Sequence, residues 1–159
     1  MADARPRFDA AWTLFQRIHG NGSLANIGKV AGGKVKANID ARVFKNGCAL
    51  RMSYVLNRVG VPIRDTKATT VYDQDGHRNF FRVKDVLPFL QARFGPADLV
   101  VDKPTAAAFK GRRGILLFEV SVWDDSTGHA TLWNGVVGNP CADHCYFAEA
   151  FRAHLWLLP

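Results

Sequence analysis

The chain has 159 residues, with 21 Lys and Arg against 14 Asp and Glu, a formal charge of +7. Hydrophobic residues make up 48% and aromatic ones 11%, which excludes a disordered chain and suffices for the core of one domain, residues 1–159. No apolar run approaches the roughly 18 residues of a membrane span, and residues 1–7 lack the apolar stretch of a secretion signal. Neither membrane insertion nor classical secretion is therefore expected. The positive charge permits a polyanionic partner such as nucleic acid, anionic lipid or an acidic wall polymer, and equally fits an ordinary basic surface.

In chain order, residues 8–19 place Ala11, Trp12, Leu14, Phe15 and Ile18 on one face before Gly20-Asn21-Gly22, which predicts a first helix. Residues 20–47, rich in Gly, Lys and Asn, read as an ordered loop with a short helical turn. From Cys48 onward, Ala49, Met52, Val55, Leu56 and Val59 recur at helical spacing until Gly60 and Pro62, the mark of a central helix with a core-facing side. Residues 63–81 surround the turn signal Asp73-Gln74-Asp75-Gly76 and read as a hairpin or irregular loop. Val83, Val86, Leu87, Leu90 and Phe94 mark another helix, with Pro88 predicting a late start or a kink. Residues 115–123 read as a central strand, which a turn through Ser126-Thr127-Gly128 joins to an antiparallel partner, residues 129–133. Residues 146–158 fit a strand or a short helix. Helices first and strands later indicate an α+β fold in which a nucleophile helix packs on an antiparallel sheet.

Cys48 follows Asn46-Gly47 and opens the central helix, where free N–H groups and the helix dipole favour a thiolate. Amide hydrolysis needs that nucleophile, a base that returns a proton to the leaving amine, and donors for the oxyanion. His129 lies on the same strand face as Thr131 and Trp133 and is the candidate base; His19, His77, His144 and His154 have less suitable settings. Asp143 is the candidate third member, holding the imidazole through Nδ1. The backbone N–H of Cys48 is a candidate oxyanion donor, and Asn46 is a weaker one, since Asn before Gly also serves plain turn chemistry. Of three cysteines, spacing makes Cys141 and Cys145 the disulfide pair, which would fix the backbone around Asp143 and imply an oxidising compartment. A zinc site at Cys141, His144 and Cys145 lacks a fourth ligand, so no metal and no cofactor is assigned. Lys29, Lys34, Lys36, Arg112 and Arg113 have no interleaved aromatic residues, so no nucleic-acid partner is assigned.

Taken in order, these strings resemble the fourth family of type VI secretion amidase effectors, papain-like cell-wall amidases related to the NlpC class. The resemblance rests on Gly32-Gly33-Lys34-Val35, Asn38-Ile39 and residues 46–53 around Cys48. It extends through Phe109-Lys110-Gly111, Gly114-Ile115, Thr127-Gly128-His129, Leu132-Trp133-Asn134-Gly135 and the Cys141, Asp143, Cys145 loop. Gly47 stands where that family usually has a small hydroxyl residue and predicts a looser turn at Cys48; Leu50 replaces a more common Ile. The resemblance implies a papain-like, NlpC-type domain and a toxin injected by the type VI secretion apparatus into a rival Gram-negative cell's periplasm. Its substrate would be peptidoglycan stem peptides, cut between D-glutamate's γ-carboxyl and meso-diaminopimelate, and a cognate immunity protein would block the cleft. The alternatives from the residues are a cysteine protease or acyltransferase of the same fold, and a basic polyanion-binding module.

Overall fold

A computed structural model of the protein describes residues 4–138 and 141–159; residues 1–3, part of the segment read for a secretion signal, lie outside it. Five helices lead into a four-stranded sheet. Helix α1 (Phe8–His19) buries Phe8, Ala11, Phe15 and Ile18. Helix α4 (Cys48–Arg58) is buried from Cys48 through Asn57 and packs on α1. Its N-cap, Gly47, supplies no side-chain acceptor. Glycine at that position costs only about a few tenths of a kcal/mol relative to a side-chain cap, far less than the roughly 1.5–3 kcal/mol from burying each of Met52 and Leu56. Packing, not capping, therefore holds the helix.

The strands β3 (Leu99–Asp102), β4 (Gly114–Glu119), β5 (Gly128–Trp133) and β6 (Arg152–Leu157) form one antiparallel sheet in the order β3-β6-β4-β5. Along β4, Ile115 and Leu117 face the α1 and α4 side, while Leu116 and Phe118 join Phe109, Trp133 and Leu155 on the other face. Both faces of the sheet are thus covered, which is why β4 reads as an unbroken apolar run. The start of α1 is tied to Pro159, whose carbonyl accepts the Phe8 N–H. No helix among the described residues is long and apolar enough to cross a membrane.

Several elements differ from the sequence expectation. The stretch read as loop contains helices α2 (Leu24–Ala31) and α3 (Gly33–Asp40). Ser23 caps α2 by accepting from the Asn26 N–H, and Gly32 at φ 64° separates the two helices. The glycine that looked like a loop signal is the corner between them. Helix α5 (Val83–Phe94) does not start late and holds Pro88 in its interior. The central strand stops at Glu119, because the Val120 N–H turns to the Thr127 carbonyl and closes the base of a loop. The C-terminal stretch resolves into β6, which pairs with both β3 and β4. The turn signal does form a hairpin, β1 (Val71–Tyr72) with β2 (Arg78–Asn79).

That hairpin is clasped to the helical corner by the Gln74 N–H on the Ala31 carbonyl. Gly33 makes the approach possible: at φ +60° a Cβ there would lie 2.6 Å from the Asp73 carbonyl carbon. Gly33→Ala therefore combines left-handed strain with a backbone clash and is expected to destabilise the fold by about 3 kcal/mol. A urea midpoint equal to that of the wild type would contradict this packing.

Candidate active site

The first residue of α4 meets the free edge of the sheet. Strand β5 ends the strand order, and the outward N–H of Ala130 donates to the Cys48 Sγ at 2.8 Å, while Sγ lies 3.3 Å from the Ala130 carbonyl oxygen. The sulfur thus occupies the place a further strand would take. It is buried (2% exposed), yet its neighbours are polar: an amide hydrogen, which favours negative charge on sulfur, and the ring of His129.

His129 precedes Ala130 on β5. Its Nε2 lies 3.1 and 3.0 Å from the two Asp143 carboxylate oxygens. The sequence reading had the acid on Nδ1; the structure puts it on Nε2 because Asp143 comes from the loop beyond the strand's far end. The other ring nitrogen is left for the hydrogen bond to Cys48. Burial pushes the imidazole pKa down, but the negative charge of Cys48 and the hydrogen bonds to Asp143 and Cys48 outweigh it and raise it to about 10. Burial pushes the Asp143 carboxyl up, whereas the bonds from His129, the Thr131 hydroxyl and the His144 N–H together hold it below its ordinary value.

Thr131 was seen in the sequence only as a neighbour on the face of His129. Its hydroxyl donates to Asp143 Oδ1 at 2.6 Å, so one alternating strand face carries both the imidazole and a group that holds its acid. Tyr146 packs edge-on against the His129 ring at 4.8 Å and is itself backed by Trp123. The Asp143 loop is fixed at several points. Cys141 and Cys145 form a disulfide with a Cα–Cα separation of 5.6 Å, which removes both sulfurs as zinc ligands. The Ala142 N–H donates to the Leu132 carbonyl, and Gln16 bonds the Ala142 carbonyl.

Asn46 sits in this site as an acceptor: its Oδ1 takes the Cys48 N–H at 3.0 Å. The backbone donor expected to serve an oxyanion is thereby engaged, and the side-chain Nδ2 is what Asn46 has left to offer. The space beside Gly47 is filled by Ile27, whose Cδ1 would lie 2.4 Å from a Cβ there and would have to move for a larger residue. Of the other histidines, His19 has a pKa lowered by burial and by Arg51, and His154 pairs with Glu119 at 2.8 Å, away from the sulfur. Beside the site lies a cavity of about 270 Å³ that includes Asn46, Ala49 and Thr127 in its walls.

A family model described as type VI secretion system amidase effector protein 4 matches residues 44–156, a span holding Cys48, His129 and Asp143. The chain belongs to this Tae4 family. Among solved structures, Tae4 from Enterobacter cloacae is 44% identical over all of both chains, with a TM-score of 0.90. The Tae4–Tai4 effector–immunity complex from the same organism is 43% identical, covering 98% of this chain and 100% of that one, with a TM-score of 0.90. The corresponding complex from Salmonella Typhimurium is 37% identical over the same shares, also with a TM-score of 0.90. No curated protein sequence gives a significant match. The α+β, papain-like fold is that of the Tae4 family, and the chain is an amidase effector of type VI secretion.

Two outcomes follow from the geometry. The folded-state pKa of His129 is raised, so its stabilising contribution is complete below about pH 6.5 and is lost as pH rises through about 10. That of Asp143 is lowered, so its contribution is complete above about pH 4 and is lost as pH falls through the lowered value. An NMR titration of the His129 Cε1 signal is expected to show a midpoint near 10, moving down in Cys48→Ala; a wild-type midpoint near 6.5 would contradict the charge pair. Reducing the Cys141 to Cys145 bond is expected to lower kcat roughly tenfold by releasing Asp143, and unchanged kinetics in reductant would show the bond to be incidental.

Proposed function

We propose that this effector is a cysteine amidase, a DL-endopeptidase that cuts peptidoglycan stem peptides between the γ-carboxyl of D-glutamate and meso-diaminopimelate, with residues 1–159 as one catalytic domain. The observation that carries the reading is the hydrogen-bonded row from Cys48 through His129 to Asp143 beside strand β5. The Cys48 thiolate attacks the amide carbonyl, forming a C–S bond. Asn46 Nδ2 meets the oxyanion. His129 gives its proton to the leaving amine as the C–N bond breaks, which leaves a thioester on Cys48. Neutral His129 then takes a proton from water, whose oxygen displaces the sulfur and releases the acid. Asp143 holds the ring and stabilises the imidazolium throughout.

Made in the cytoplasm, the protein would reach the periplasm of a target Gram-negative cell through the type VI apparatus and need no secretion signal. The Cys141 to Cys145 bond fits that oxidising compartment. The Tae4–Tai4 complexes support a cognate immunity protein as inhibitor. A cysteine protease or acyltransferase would use the same three side chains and differs only in substrate.

Incubating the protein with muropeptides and weighing the products by mass spectrometry separates these readings. Release of fragments beginning with meso-diaminopimelate is expected, with loss of at least about 10⁴-fold in Cys48→Ala. Tetrapeptide stems left intact by the wild-type protein would overturn the proposal.

A further inference from the structure

Three cavities run end to end beside the site. The central one, of about 270 Å³, shares Val83, Lys84 and Thr127 with a neighbour of about 230 Å³ on one side. It shares Asn46, Phe81, Arg82 and Asp125 with another of about 230 Å³ on the other side. Together they form a groove that passes the residues flanking Cys48.

The central cavity is lined by charges of both signs from separate elements. Arg82 and Lys84 come from the start of α5, and Asp124 and Asp125 from the loop between β4 and β5. Among the described residues, Lys84, Asp124 and Asp125 make no hydrogen bond or ion pair, although each is exposed and able to find one. Other surface acids divide: Arg7 with Asp9, Arg58 with Asp75 and Arg152 with Asp102 are paired, whereas Asp65 and Glu149 are left to solvent as Asp124 and Asp125 are, so what sets the latter two apart is their place in a cavity wall beside Cys48. Arg82 is steadied through its Nε by Asp85 at 3.1 Å, and its guanidinium lies over the Phe81 ring. Phe81 and Trp123 give the same cavity an apolar lining.

We propose that this groove binds a zwitterionic amino-acid head, an ammonium and a carboxylate on one carbon, joined to the scissile amide by a methylene chain. Arg82 and Lys84 take the carboxylate, Asp124 and Asp125 the ammonium, and Phe81 and Trp123 the methylenes. The assignment rests on the amidase reading above, in which the head is the free end of meso-diaminopimelate. It makes these residues the ones that select diaminopimelate over lysine, which carries an ammonium at that end and no carboxylate.

The test uses the full chain as Cys48→Ala, titrated by calorimetry with L-Ala-γ-D-Glu-meso-diaminopimelate and with the same tripeptide ending in L-Lys. The lysine peptide is expected to bind roughly fivefold more weakly, or more, for the lost carboxylate. Adding Arg82→Gln and Lys84→Gln should erase that preference, whereas adding Asp124→Asn and Asp125→Asn should weaken both peptides. Equal binding of the two peptides, no binding of either, or a preference that survives Arg82→Gln with Lys84→Gln would overturn the assignment. Mass spectrometry of both peptides after treatment with the wild-type protein separates the two ideas. If neither is cut, the amidase reading itself fails; if both are cut but bound alike, only the groove assignment does.

Discussion

The free edge of β5 is the constraint on which the site depends. An edge strand exposes unpaired N–H and C=O groups that must be met by something. Here the Cys48 sulfur accepts the N–H of Ala130, and the Ala142 N–H meets the carbonyl of Leu132. One edge therefore fixes the start of α4 and the beginning of the Asp143 loop, while the adjacent strand face presents His129 and Thr131. The distances in the site follow from β-sheet geometry more than from any loop.

A charge pair held this far from water costs desolvation energy that only good geometry recovers. The compensating contacts are all present. Sulfur has an amide donor and the imidazole, the imidazole has both carboxylate oxygens, and the carboxylate has the Thr131 hydroxyl and the His144 N–H. Tyr146, backed by Trp123, packs edge-on against the ring and adds to its low-dielectric setting. The disulfide adds covalent restraint to the one member that comes from a loop.

Much of this was legible in the sequence, for physical reasons. The apolar period of α1, α4 and α5 and the continuous run of β4 report burial directly, so those elements and the position of Cys48 at a helix start could be read. Helices α2 and α3 were not, because Gly28, Gly32 and Gly33 look like loop chemistry until packing shows them to be close contacts and a corner. Strand β3 is four residues long with half-buried positions, too little pattern to notice. In the site, residue types and strand alternation pointed to His129 and Asp143. Which imidazole nitrogen faces which partner depends on where the loop returns, and the engagement of Asn46 with the Cys48 N–H depends on a two-residue turn. Neither leaves a trace in spacing.

The account stands or falls on whether His129 activates the Cys48 sulfur. Cys48 is the one free cysteine, so its alkylation by iodoacetamide at pH 6 can be followed without interference. Rapid labelling in the wild type that drops to the rate of a simple thiol in His129→Ala is the predicted result. Labelling of the wild-type protein no faster than that of free cysteine at the same pH would contradict it.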